Sequence, residues 1–319
     1  MTPMPGLSAE RRGPLITPDM LPGDEGASIN GPSLVRMPDW AKGRLGAYHL
    51  YFAHHNGTYI RLAYSDAMEG PWRIHPGGAL SLAECPFIKG HIASPDVHVD
   101  AQNQRIVMYF HGPVLNGQGQ TTFAATSAEG LCFRPDPEPL GPFYARIFRH
   151  GGWWYGLFGT ANVELRRSSD GLSGFEEGPI VLPGSRWVRP RHAAVQKSGS
   201  SLIVYYTCKG DAPERVLYGC IDLSGDWRRW RVRGRTELLR PGTDYEGAGL
   251  PVRRSRVGMA RSRENGLRDP AIFEEDGRTW LLYAVAGESG IALAEIQPGE
   301  PRAPGLRRSI ADLWSRLGA

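Results

Sequence analysis

The chain has 319 residues, 41% hydrophobic and 22% charged, with a net charge of +4. These are the proportions of a globular protein, too weakly basic for a general nucleic-acid surface, and no run approaches the ~18 apolar residues that would cross a bilayer. Its 41 Gly and 26 Pro, with nine Trp and twelve Tyr, call for many short strands joined by turns.

The Pro- and Gly-rich stretch 1–29 lacks the apolar segment of a secretory signal and reads as an extended arm. Cys85, Cys132, Cys208 and Cys220 form no CxxC pair, so reduced thiols and a cytoplasmic location are expected, without structural zinc. From Asn30 onward one pattern recurs: an apolar strand, a turn, an aromatic-rich strand, a second turn, then a third strand ending near Ser-Asp or Ser-x-x-Gly. The first copy runs from "PSLVRMPDW" to "YSDAMEGPW", the second from "SPDVHVD" to "TSAEGLCF", the third from "FYARIF" to "SSDGLSGF". The fourth spans "RPRHAAVQ" to "LSGDWRRW", and the fifth is "RDPAIFEEDGRTWLLYAVAGESGIALAEI". Tyr51, Tyr109, Tyr155, Tyr205 and Tyr283 hold equivalent places in the second strands.

Units of about 40–50 residues with several strands each predict propeller blades. The expectation is an all-β, five-bladed β-propeller over 30–298. The arm 1–29 would close the ring by supplying the strand that the fifth unit lacks. The tail 299–319 follows, with Ile310, Leu313, Trp314 and Leu317 at helical spacing for a short C-terminal helix. A β-sandwich is the alternative, but sandwiches rarely repeat one tyrosine-centred pattern five times.

Blade topology turns the repeat into a site. In a four-stranded meander the starts of the first strands, the second turns and the linkers between blades share one face of the disc. The first-strand starts carry Asn30 and Ser33, Ser94 and Asp96, Tyr144 and Arg146, Arg189, Arg191 and His192, then Arg268 and Asp269. The second turns bring His54 and His55, His111, Glu164 and Glu288, and the linkers bring His91, Glu246 and a run of arginines from Arg253 to Arg263. His98 follows Asp96 on the same strand. The opposite turns ("DAQNQ", "RHGG", "KSGSS", "EEDGR") are ordinary hairpin connections, so one mouth is ionisable and the other bland.

"SPDVHVD" and the fifth copy resemble the blade-entry motifs of the five-bladed-propeller glycoside hydrolases, the superfamily of arabinanases, β-xylosidases and invertases. The likeness covers roughly residues 30–296. It implies three acidic groups in an axial funnel: a base or nucleophile, a general acid and an orienting carboxylate. Asp96 in "SPDV" matches the second-blade aspartate, and Asp269 in "RDP" matches a blade-entry aspartate. Blade one reads "NGPS" and blade three "PFYARIF", with no carboxylate in either. Glu246 in "YEGAGLP" resembles the local motif of the acid, and Glu164 is the other substitute.

The resulting assignment makes Glu246 the acid, Asp269 the base or nucleophile and Asp96 the orienter. Two carboxyls about 5–5.5 Å apart would retain and about 6.5–9.5 Å apart would invert configuration. The substrate contacts would come from His54, His55, His91, His98, His111, Tyr144, Arg146, Glu164, Arg189, Arg191, His192 and Arg268. The arginines suit an acidic sugar or phosphate, or else neutralise the carboxylates and staple the blades. No HExxH or other metal motif is present; no cofactor is expected, and the partner is a small-molecule or oligosaccharide substrate. The competing reading is a non-catalytic carbohydrate-binding or scaffold propeller that lacks the carboxylates of blades one and three.

Overall fold

The computed structural model describes residues 5–187 and 189–299, so the helix expected near the C-terminus lies outside the described residues. Five antiparallel sheets follow one another along the chain. Before them comes strand β1 (Gly6–Ile16). Blade one comprises β2 (Asn30–Arg36), β3 (Tyr48–Ala53), β4 (Tyr59–Ser65) and β5 (Arg73–Ser81). Blade two comprises β6 (Ala93–Asp100), β7 (Arg105–Pro113) and β8 (Gln120–Ser127), flanked by the short β9 (Arg134–Pro135) and β10 (Gly141–Pro142). Blade three comprises β11 (Arg146–His150), β12 (Trp153–Phe158), β13 (Val163–Ser168) and β14 (Glu176–Leu182). Blade four comprises β15 (Arg189–Ser198), β16 (Ser201–Lys209), β17 (Val216–Asp222) and β18 (Arg233–Leu239), and blade five β19 (Arg268–Glu275), β20 (Arg278–Ala284) and β21 (Ile291–Gly299). The five-bladed propeller read from the repeats is the fold of the chain.

Blade five has three strands of its own, and its outer strand is β1, paired antiparallel with β21 from Gly6↔Gly299 to Ile16↔Ile291. The first and last described segments therefore share one sheet. Closing the circle this way leaves no seam where two unpaired edges would face each other.

Two of the five repeated tyrosines tie one blade to the next. Tyr51 in blade one donates to the Gly130 carbonyl of blade two at 2.7 Å, and Tyr109 in blade two donates to Gly171 of blade three at 2.8 Å. Both acceptors are the glycine of the Ser-x-x-Gly motif. Ser127 and Ser168 accept from the N–H of Gly130 and Gly171 and fix the turn, which needs the left-handed backbone that glycine adopts at no cost (φ 76° at both). Buried phenols must keep a partner, so one motif pair sets the spacing of consecutive blades. Around these contacts the apolar faces of neighbouring sheets form the core, for example Tyr51, Leu62, Ile106 and Phe133 between blades one and two.

Candidate functional site

Four blades enter the axis through the same irregularity. The register of the innermost strand slips between Asn30 and Ser33, Ala93 and Asp96, Pro190 and Ala193, and Arg268 and Ala271. Each slip is a β-bulge, which re-aims a side chain. Gly31, Ser94 and Asp269 occupy the left-handed region inside such a bulge, each followed by proline, and Tyr144 does so at the entry to blade three. For Ser94, Tyr144 and Asp269 this conformation is costly, on the order of 1 kcal/mol or more each, and such residues concentrate at functional sites.

The four bulges, and the left-handed entry to blade three, place one residue per blade in an upper ring: Gly31, Ser94, Tyr144, His192 and Asp269. All of these but Gly31 line a cavity of about 50 Å³, whose wall Asn30, His55, His91, Ala93, His111, Gln120 and Glu288 complete. His192 and Asp269 face each other as a buried pair through Nδ1 and Oδ1. Gly31 N–H lies 3.3 Å from Asp269 Oδ2. Nδ1 and Nε2 of His192 and Oδ1 of Asp269 are all buried without a formed hydrogen bond, so the pair is a close approach of the two groups. Burial, with the fields of Arg191, Arg146, Lys209 and Arg268, pushes the His192 imidazole well below its usual range, so the ring is neutral.

The Tyr144 ring stands edge-on to both His192 and His111, with centroids 4.1 and 4.5 Å apart. Burial pushes its phenol up to about 12. Glu288 accepts from Ser28 Oγ at 2.9 Å, from Asn30 Nδ2 at 3.1 Å and from Arg268 Nη1 at 3.0 Å, and lies 3.5 Å from His55 Nδ1. Burial opposes its ionisation, but His55, Arg268 and Ser28 hold the carboxyl down at about 2. A carboxyl held there is a fixed negative charge and cannot store a proton at neutral pH.

The structure brings Asp269, His192, Tyr144, His55, His91 and His111 together and sends the other expected residues elsewhere. Glu246, expected as the acid, is fully buried away from the axis, where it accepts from Arg11 Nε at 2.9 Å, Tyr283 Oη at 2.8 Å and Gly242 N–H at 2.7 Å. It closes the short 3₁₀ turn Asp244–Glu246, where its Oε2 also accepts from Thr243 N–H at 3.2 Å, and its carboxylate ties the closing strand β1 to blade five. The structure thus does not bring Glu246, expected as the acid, to Asp269; it places the carboxyl among Arg11, Tyr283 and Gly242. Asp96, Arg146 and His98 also miss the mouth. They line a separate, wider cavity further along the axis, because Asp96 and Arg146 stand two residues beyond Ser94 and Tyr144.

The remaining arginines are largely committed to ion pairs. Arg191 is bound to Glu214 at 2.8 Å and to backbone carbonyls of Arg256 and Gly258. Arg268 joins Glu214, Glu264 and Glu288 at 3.1, 2.8 and 3.0 Å. For these two the stapling alternative holds. Glu164 pairs with Arg166, His54 accepts from Asn56 N–H in its own turn, and Arg189 is exposed; none of the three lines the cavity. Gln120, which meets His91 Nε2 at 3.3 Å, carried no signal in the sequence. Glu288 was legible only as a turn residue on the ionisable face. Among the described residues no three His, Cys, Asp or Glu side chains converge as metal ligands do.

No protein-family model matches the chain. The uncharacterized protein R118 of Acanthamoeba polyphaga mimivirus is 35% identical over 305 residues, covering 86% of this chain and 85% of that protein. Among solved structures, a thermostable family-43 glycoside hydrolase superposes with a TM-score of 0.62 at 15% identity, covering 88% of this chain and 95% of its own. CoXyl43, a β-xylosidase/α-arabinofuranosidase from a compost microbial metagenome seen with xylotriose, gives 0.60 at 14% identity over 96% and 97%. An N-acetylgalactosamine deacetylase from F. plautii, seen with blood group B trisaccharide, gives 0.60 at 13% identity over 91% and 95%. At such identities the likeness is one of fold, and it is the fold expected from the blade-entry motifs.

Proposed function

The chain belongs to the same family as the mimivirus protein R118 and carries the propeller of the family-43 glycoside hydrolases, and from that premise we propose that it is a carbohydrate-active enzyme working in its upper axial mouth. The observation that carries this reading is the His192–Asp269 pair with its buried, unpartnered Nε2. In this reading the proton sits on Nδ1, facing Asp269, and Nε2 of the neutral ring serves as general base toward a water or a sugar hydroxyl. Glu288, permanently ionised, orients His55 on the other side of the cavity as the proton donor to the leaving oxygen. Two imidazoles, each turned by a carboxylate, thus take the parts that two free carboxyls play in ordinary glycoside cleavage. At Gly31, the blade-one member of the ring, a side chain would be strained by the left-handed backbone (φ 59°) and crowded, its Cβ lying 3.1 Å from Ser94 Cα.

The finer reading is an acidic substrate. Arg189 is exposed at the start of blade four, paired in register with Lys209, which donates to Thr160 Oγ1 at 3.1 Å and is pushed down to about 8 by burial and by Arg191. The linker from Arg253 to Arg263 adds arginines on the same face. Cations at the rim suit a uronic acid, a sugar phosphate or an attacking phosphate. The small volume of the mouth and the acid-free entries of blades one and three favour a second reading, a saccharide-binding propeller without turnover.

A screen of aryl glycosides, acylated sugars and acidic oligosaccharides, with and without phosphate, separates the two. Turnover by the wild type that His192→Asn abolishes supports the enzyme. Binding of a sugar acid without turnover, unchanged in His192→Asn, supports the binding module and ends the catalytic reading.

A further inference from the structure

Beyond the upper ring the axial channel widens into a cavity of about 720 Å³, a volume typical of small-molecule sites. It shares no lining residue with the mouth. At its inner end stand Ser33, Asp96, Arg146, Ala194 and Ala271, one from each blade. Blades one, four and five thus contribute only a hydroxymethyl and two methyl groups, and the open space lies across from Asp96 and Arg146.

The two charges differ in how they are held: Arg146 is short of partners, whereas Asp96 is engaged through one oxygen. Arg146 is only 4% exposed, and its Nε has no partner. Its one side-chain hydrogen bond runs from Nη1 to the carbonyl of Ala145 at 2.9 Å. Asp96 Oδ2 accepts from His98 Nε2 and from Ile147 N–H, both at 2.8 Å. Burial opposes its ionisation, but His98, Arg146 and Ile147 N–H together hold its carboxyl below the usual range. Among the described residues no ion pair joins Asp96 to Arg146. Of the other carboxylates on the wall, Glu275 is paired with Arg36 and accepts from the Tyr48 hydroxyl, Glu274 accepts from the Gln196 amide, and Asp276 lies at the edge of the lining beside them.

We infer that this cavity is a second binding site, for a small zwitterion carrying adjacent ammonium and carboxylate groups, the chemistry of a free α-amino acid. The carboxylate docks on the Arg146 guanidinium, which gains the partner that its burial demands, and the ammonium docks on Asp96 beside the oxygen that His98 and Ile147 N–H engage. A ligand with one charge satisfies one of the two and is repelled by the other. Val97, Val99, Val195 and Phe273 form an apolar wall beyond the pair, which suits an aliphatic or aromatic side chain.

Calorimetric titration of the full chain with L-leucine and L-phenylalanine tests the site. The controls are 4-methylpentanoate, which lacks the ammonium, and isopentylamine, which lacks the carboxylate. Saturable binding of an amino acid, with both controls at least tenfold weaker, is expected. Arg146→Met and Asp96→Asn should each weaken it at least tenfold. If either variant fails to fold, Ala271→Leu serves instead; it fills the space across from the pair and should abolish binding with the melting temperature retained. No heat from either amino acid, controls that bind as tightly, or undiminished binding by folded Ala271→Leu overturns the assignment. Each readout is independent of turnover in the mouth.

Discussion

His192 Nδ1 and Asp269 Oδ1 meet at the axis, one from the entry of blade four and the other from the entry of blade five. If the pair is one acid–base unit, Asp269→Asn and His192→Asn should each lower kcat by ~100-fold or more on a substrate found by the screen. The double variant should be little worse than the poorer single, as for residues acting together. Steady-state kinetics of the four proteins decide it; multiplicative losses would mean that the two act separately.

Stability should fall with acid in two stages. His49, held down at about 4 by burial, and His111 and His192, pushed well below the usual range by burial, are neutral in the fold but protonate once exposed. The unfolded chain therefore binds more protons below about pH 6.5, and stability drops as pH falls from there. Glu288 adds a second loss: its contribution is complete above its unfolded value near 4.5 and disappears as pH falls toward 2. That term is on the order of 3 kcal/mol. Urea melts between pH 7 and pH 3 check this. In Glu288→Gln the loss below pH 4.5 should shrink while the loss beginning near pH 6.5 remains.

Glu246 should matter for folding and not for chemistry. Glu246→Leu leaves Arg11 without its carboxylate and the Tyr283 hydroxyl without its acceptor, and should cost about 3–5 kcal/mol. The folded fraction should turn over substrate at the wild-type rate. A variant of normal stability whose kcat collapses would return Glu246 to the catalytic role first expected of it.

Removing residues 1–16 takes away β1 and leaves β21 as a bare edge. The truncated chain should melt well below the full one and aggregate through that edge. Differential scanning calorimetry and light scattering of the two chains give the answer, and equal melting temperatures would show that β1 is not needed to close the ring.

The five-fold repeat of strand, turn and tyrosine was visible in the sequence because blade structure is local. Alternating apolar residues, glycine turns and the Ser-x-x-Gly motif each act within a few positions of one another. The polar bias of one face was visible for the same reason, since strand direction alone sorts turns to the two sides of the disc. What each ionisable group faces depended on tertiary structure. Asp96 lies two residues beyond Ser94, about 6–7 Å further along the strand, and that step moves it out of the mouth into the second cavity. Glu246 stands in a long linker whose course is set by packing against β1, a strand from the far end of the chain. Charge and spacing do not say whether a carboxylate meets an arginine, an imidazole or open space. That follows from the depth at which each bulge turns its side chain toward the axis.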